Sequence, residues 1–241
     1  TERIVTPKVT LDQEKTQKTY EAYQEILGDV MPVEIRGVQG FWFAPVDDLV
    51  QLMGTNELLL NVALEPELVH ASMRKIVDAY MGALDQYEDL GCLGSNNRNY
   101  RIGSGAYGYT SQLPRGTMTG MECKNMWGAA ASQFFTSVSP QMHEEFSIAY
   151  EKPWLERFGF SYYGCCERLD IKIDQLKKIK NLRKISCSPW SDTAHMAEVV
   201  GRDYVVSLKT SPACFAWDTF DEEAVRKDVE GKLELLKDCN V

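Results

Sequence analysis

The chain has 241 residues, 44% of them hydrophobic, and a formal net charge of −9 at pH 7. That length can bury one sizeable core; no apolar run approaches the roughly 18 residues of a membrane-spanning helix, and the acidic balance argues against a nucleic-acid partner, which needs a basic face. Seven cysteines, with nothing ahead of them resembling a signal peptide, point to reduced thiols in a cytoplasmic setting rather than a disulfide framework.

In chain order, apolar spacing predicts an amphipathic helix over residues 12–27, stopped by Gly28, then a short strand over 31–35. A Gly- and aromatic-rich loop follows over 38–45, with a helix over 46–53. Pro66 suits the first turn of a long helix reaching about Leu90, with Leu68, Val69, Met73, Ile76, Val77, Tyr80, Met81 and Leu84 at helical spacing. Gly91 breaks it before a strand through Cys92 and Leu93 that leads into Ser95, Asn96 and Asn97.

Residues 99–120 form the longest irregular stretch. Tyr100, Tyr107 and Tyr109 alternate there with Gly103, Gly105 and Gly108, which reads as a mobile cover over a ligand. Phe41, Trp42 and Phe43 read either as part of such a lid or as packing. Ser139 is placed to N-cap a helix opened by Pro140, with Glu144 and Glu145 in its early turns, and Pro153 is expected to kink or divide it. Strand 160–163 then precedes helix 170–178, strand 183–187 precedes helix 192–200, and strand 204–208 precedes a turn at 212–216. A last helix covers 221–238. Short strands alternating with helices imply parallel βαβ units in one domain spanning 1–241. A doubly wound sheet or a TIM (β/α)8 barrel would give this pattern. Polar residues at nearly every strand end favour the barrel, whose strands converge on one face.

The segment from Gly159 to Glu167 is the most informative. An apolar strand ends at Gly164, and Cys165, Cys166 and Glu167 stand just past its carboxyl end, where α/β chemistry sits. Thiols and a carboxylate together can hold zinc, activate a nucleophile or move protons; cysteines also simply fill space. Adjacent cysteines on one strand would point to opposite faces, so one of the two is expected to face the barrel interior. Cys187, at the next strand's end, could reach the same centre or pack. His143 reads as an exposed helix residue or as an acid–base group or ligand, while His70 and His195 read as structural or solvent-facing. Asn96, Asn97, Arg36, Tyr163, Trp190 and Lys209 are candidate substrate contacts. For Arg36 the competing reading is an ion pair with Glu34; for Lys209 it is a solvated loop lysine, and for the asparagines ordinary turns.

Several segments taken together resemble the uroporphyrinogen decarboxylase superfamily. They are Met31-Pro-Val-Glu-Ile-Arg-Gly37, Phe41-Trp-Phe43, Leu52-Met-Gly54, Glu65-Pro-Glu-Leu-Val-His70 before a long helix, Trp127-Gly128, Val138-Ser-Pro-Gln-Met-His-Glu-Glu-Phe146 with Tyr150, Ile185-Ser-Cys-Ser-Pro-Trp190, and the run from Val205 to Pro212. The resemblance implies a TIM barrel of which this chain is a fragment, beginning before the third strand and stopping before the eighth. Strand edges so exposed would need cover, for which a homodimer is one source. It also implies either metal-free decarboxylation of a carboxylated substrate or zinc-dependent methyl transfer between a small methylated substrate and a corrinoid protein. The methyltransferase branch carries His-x-Cys at the end of the fifth strand. Here that place reads Tyr163-Gly164-Cys165, so Cys165 carries over and Tyr163 replaces the histidine. The expectation is a methyltransferase-like enzyme with zinc on Cys165, Cys166 and Glu167, with Glu167 and His143 as catalytic groups. The alternatives are a metal-free decarboxylase and a non-catalytic ligand-binding barrel.

Overall fold

A computed structural model describes residues 3–104 and 106–241; Gly105 of the Gly/Tyr loop lies outside them. The fold is mixed α/β, organised around a four-stranded parallel sheet. Its strands are β3 (Trp127–Ala130), β4 (Phe160–Tyr163), β5 (Leu182–Cys187) and β6 (Val205–Leu208), hydrogen-bonded in that order. Two short strands that precede them, β1 (Arg101–Ile102) and β2 (Ala106–Tyr107), form an antiparallel hairpin. The helices are α1 (Gln13–Leu27), α2 (Pro45–Met53), α3 (Thr55–Leu64), α4 (Pro66–Asp89), α5 (Pro140–His143), α6 (Ala149–Leu155), α7 (Ile173–Leu176), α8 (Thr193–Val200) and α9 (Glu222–Leu235).

The sheet is buried on both faces, which explains why its strands read as apolar runs rather than alternations. Register places Trp127, Ala129, Phe160, Tyr162 and Lys184 on one face, with Ala130, Tyr163, Ile185 and Cys187 on the other. Ile102 of the hairpin packs with Trp127, Ala129 and Tyr162 on the first face. The second face meets Trp154, Leu176, Met196 and Val200 from the crossover helices. Small residues make this close approach possible: a Cβ at Gly128 would stand 2.3 Å from the Phe158 ring. Trp154 anchors the core. It stacks on Phe43 at 4.3 Å between centroids and meets Phe41 and Tyr80 edge-on, and its indole donates to the Ala129 carbonyl.

Several predicted elements change. The strand expected over 31–35 is irregular, because nothing pairs with it until Val38, which makes a single parallel bridge to Leu93. The strand expected through Cys92 and Leu93 is likewise reduced to that bridge. Helix α3 is additional to the predicted set, and helix 170–178 shrinks to α7. Pro153 sits inside α6 without dividing it; the irregular part is a π-helical stretch, Glu144–Ile148, one turn earlier. Phe43 and Phe41 belong to the core, whereas Trp42 is exposed.

The free edge of β3 is completed by a side chain. The Asn96 amide accepts from the Trp127 N–H at 2.9 Å and donates to the Trp127 carbonyl at 2.8 Å, reproducing both bonds of a neighbouring strand. Replacing Asn96 by Ala leaves two buried backbone groups unpaired, so it should cost roughly 2–4 kcal/mol in urea unfolding. Asn96→Asp, which keeps the acceptor and loses the donor, should also destabilise. A loss below about 0.5 kcal/mol for Asn96→Ala would contradict the clamp.

Candidate functional site

The segments following β3 and β4 are joined by one buried carboxylate. Gly164 closes β4 at φ 107°, and a Cβ there would lie 2.5 Å from Leu169 Cδ1 and 2.9 Å from Ser186 Cβ. Only glycine suits this turn. The turn brings the Cys165 N–H to Glu167 Oε2 at 2.7 Å, while Glu167 Oε1 accepts from the Ser132 N–H at 2.9 Å. Glu167 is fully buried. Both of its oxygens face amides, so Glu167 forms a bracket between two strand tips.

The bracket sets the thiols. Cys165 is buried, Cys166 is exposed, and their sulfurs stand 3.6 Å apart. Opposite faces were expected for adjacent cysteines on a strand. The strand has already ended at Gly164, so alternation no longer applies and the two sulfurs share one side. The Cys165 carbonyl accepts from Ser186 Oγ at 2.9 Å and from Lys209 Nζ at 2.8 Å, and the Lys209 ammonium also reaches Ser104 Oγ. Burial pushes the Cys165 thiol up to about 11, against the lowering pull of Ser104 and Lys209.

Behind the strand tips runs a hydrogen-bonded chain of buried polar groups. Lys172 Nζ meets His143 Nδ1 at 3.0 Å and the Phe135 carbonyl; His143 Nε2 meets the Tyr163 hydroxyl at 2.8 Å; that hydroxyl donates to Glu151 Oε2 at 2.5 Å. Ser132 Oγ donates to Glu151 Oε1 at 2.8 Å and contacts Ser147 Oγ. With Lys172 donating to Nδ1, the consistent tautomer carries its proton on Nε2, so every donor finds an acceptor. Burial and the Lys172 charge hold His143 well below its usual value, in the neutral form this chain requires. Burial pushes Glu151 up to about 7, partly offset by its bonds to Tyr163, Ser132 and Ser147, with the Glu167 charge adding to the rise. Lys172 is lowered to about 8 by burial, opposed by Glu167 and Asp170. Asp47 closes the cluster. It accepts from Gln133 at 2.6 Å with one oxygen and leaves the other buried without a partner, and burial raises it to about 6.

The predicted site residues therefore divide. Cys165, Cys166 and Lys209 meet at the tip of β4. His143 and Tyr163 lie in the buried chain on the helix side of the sheet, so the exposed placement of His143 does not hold. Asn96 serves as the strand clamp. Asn97 bonds the backbone of Thr110, Leu113 and Pro114, which fixes the Gly/Tyr loop from within. Arg36 is exposed and paired with Glu34 at 2.9 Å, and Trp190 is exposed beyond β5. Cys187 packs in the core. Glu151, Lys172, Ser132, Ser104 and Ser186 were not anticipated. One signal was available: His143, Ser147 and Glu151 recur at intervals of four, which puts them on one helix face.

An aromatic cavity of about 310 Å³ lies between the Gln39–Trp42 segment, Tyr100 and Trp127. A larger groove, about 1310 Å³, runs between the N-terminal segment and α4, lined by Val9, Leu11, Tyr80 and Tyr87. None of the thiol-pair residues lines either space. Among the described residues, no group of three or more His, Cys, Asp or Glu side chains could hold a metal ion, and no helix is long and apolar enough to cross a membrane. No family model, curated protein or solved structure matches this chain.

The raised Glu151 value has a definite sign in stability. Between about pH 4.5 and 7 the folded chain keeps a proton that the unfolded chain has released. Stability from this group is full below the lower value and falls as pH rises through the upper one. Glu151→Gln should remove that fall, so its stability relative to the parent chain should improve by about 2.5 kcal/mol between pH 5 and pH 8 in urea unfolding. The lowered His143 titration is present in both chains and cancels in the difference. A difference independent of pH would contradict a proton-holding Glu151.

Proposed function

We propose that this chain is a barrel-type, methyltransferase-like enzyme whose working surface is the tip of β4. In this reading Cys165 and Cys166 hold a soft divalent cation such as zinc, a small methylated substrate binds beside it, and a corrinoid on a separate protein exchanges the methyl group. The 3.6 Å separation of the two sulfurs carries the reading. Two thiolates on a tetrahedral zinc with bonds of about 2.3 Å stand about 3.8 Å apart, so the pair fits two ligand positions with almost no movement. Glu167 does not fit as a third ligand, since both its oxygens are committed to amides. The remaining positions fall to water and substrate.

Zinc, when bound, would polarise the heteroatom that carries the methyl group. The chain's own residues perform the rest. Lys209 fixes the Cys165 carbonyl and places a positive charge that favours thiolate formation. Exposed Cys166 leaves one side of the pair open to a partner. The Glu167 bracket keeps both sulfurs on one side of the turn. A barrel arrangement is supported by the parallel bridge of Val205 with Asn240, which extends the row beyond β6, and by Asn96, which follows the Val38–Leu93 bridge and takes the free edge of β3.

Metal-free handling of a carboxylated substrate is the second reading. It is favoured by Lys184, partly buried on the other sheet face with its ammonium 5.0 Å from the Trp127 ring centroid. Metal analysis under reducing conditions separates the two. The first reading predicts about one zinc per chain, reduced at least fivefold in Cys165→Ala and in Cys166→Ala, and zinc-dependent methylation of an added corrinoid. Less than about 0.2 zinc per chain, or carbon dioxide release from a carboxylated tetrapyrrole without zinc, would overturn it.

A further inference from the structure

We infer that Cys165 and Cys166 form a reversible redox site, in which the exposed thiol accepts an oxidising disulfide and its buried neighbour resolves it into a vicinal bridge. The division of labour follows from position. Cys166 is open to solvent, so a low-molecular-weight disulfide can reach it, whereas Cys165 is enclosed by Gly164, Ser104 and Lys209. The sulfurs already stand at 3.6 Å, so bridge formation requires them to close to about 2.05 Å, with some adjustment of the backbone between them.

The steps balance. Cys166 loses its proton, and its thiolate attacks one sulfur of R–S–S–R. A Cys166–S–S–R bond forms, the R–S–S–R bond breaks, and the departing thiolate takes the proton as RSH. Cys165 then loses its proton and attacks Cys166 Sγ, the bond to R breaks, and a second RSH leaves. The chain gives up two electrons and two protons, and the oxidant is reduced to two thiols. Lys209 and Ser186 hold the Cys165 carbonyl, which fixes that residue beside Cys166 for the second step. Adjacent Cα atoms are about 3.8 Å apart, closer than the roughly 4.4 Å minimum usual for a bridge, so the eight-membered ring is strained and readily reduced again. That lability suits a switch rather than a structural bond.

The redox chemistry rests on the sulfur geometry alone. Its consequence, release of zinc on oxidation, rests on the function proposed above. The test treats the full chain with oxidised glutathione and maps peptides by mass spectrometry, with zinc measured in parallel. The expected product is a 165–166 peptide two hydrogen atoms lighter than the reduced form, restored by mild dithiol treatment. Cys165→Ser should stop at a glutathione adduct on Cys166, while Cys166→Ser should show at least tenfold less adduct on Cys165. A parent chain that accumulates the Cys166 adduct without a bridge, or that is modified first at Cys165, overturns the inference. Failure to bridge with zinc uptake intact sinks this inference alone; bridging that leaves zinc uptake unchanged upholds it and removes the metal reading instead.

Discussion

A buried carboxylate that accepts two backbone amides is the constraint on which the site depends. Glu167 reaches from the turn after β4 to the Ser132 amide beyond β3 and to the Cys165 amide in its own turn. Charge-assisted bonds of this kind are about twice as strong as neutral ones. Burying the carboxylate without them would cost several kcal/mol. The same bracket that stabilises the sheet's carboxyl edge therefore fixes the direction in which the two thiols leave it. Gly164 is the complementary requirement, since no side chain fits the space between Leu169 and Ser186.

Around that bracket the protein gathers an unusual density of buried charge. Glu151, Glu167, Lys172 and Asp170 are all at most 1% exposed. Asp170 is relieved by Arg168, which reaches it with two bonds from the half-exposed rim. Lys172 sits close enough to Glu167 and Asp170 to be held toward its charged form by both, against desolvation. Glu151 has no cation beside it, so burial outweighs the hydroxyl donors that favour its charged form, and it holds its proton. The result is a helix, a strand tip and two turns locked by polar bonds in addition to apolar packing, directly behind the thiol pair. Such networks are stabilising only when every member is satisfied, and the unpartnered Asp47 oxygen is the one exception within this cluster.

The later half of the fold was legible in the sequence because each strand there is a short apolar run flanked by glycine or charge, followed by a helical pattern. Strands β4, β5 and β6 and helices α8 and α9 fall within a few residues of where those signals place them. The segments near residues 35 and 92 carry the same signals, yet pair only at Val38 and Leu93, because strand formation requires a neighbour that local sequence does not supply. For the site, the position of Cys165 past a strand end was visible; the arrangement of the two sulfurs was not, since it turns on the φ angle of Gly164. Glu151 and Lys172 look like surface residues of lysine-rich helices. Their burial depends on Ser132 and His143, 19 and 29 residues away along the chain. His143 misled for the same reason: its neighbours Glu144 and Glu145 are polar, but the π-helical stretch and the Tyr163 hydroxyl draw its face inward.

Amide hydrogen exchange at Ser132 and Cys165 tests the central claim most directly. If Glu167 holds both amides, they should exchange as slowly as the amides of β4 in the parent chain. Glu167→Gln, which keeps one acceptor and loses the charge, should speed both by roughly 10- to 100-fold while leaving α4 unchanged. Equal exchange in the two chains would show that something other than this carboxylate joins the strand tips and places the thiols.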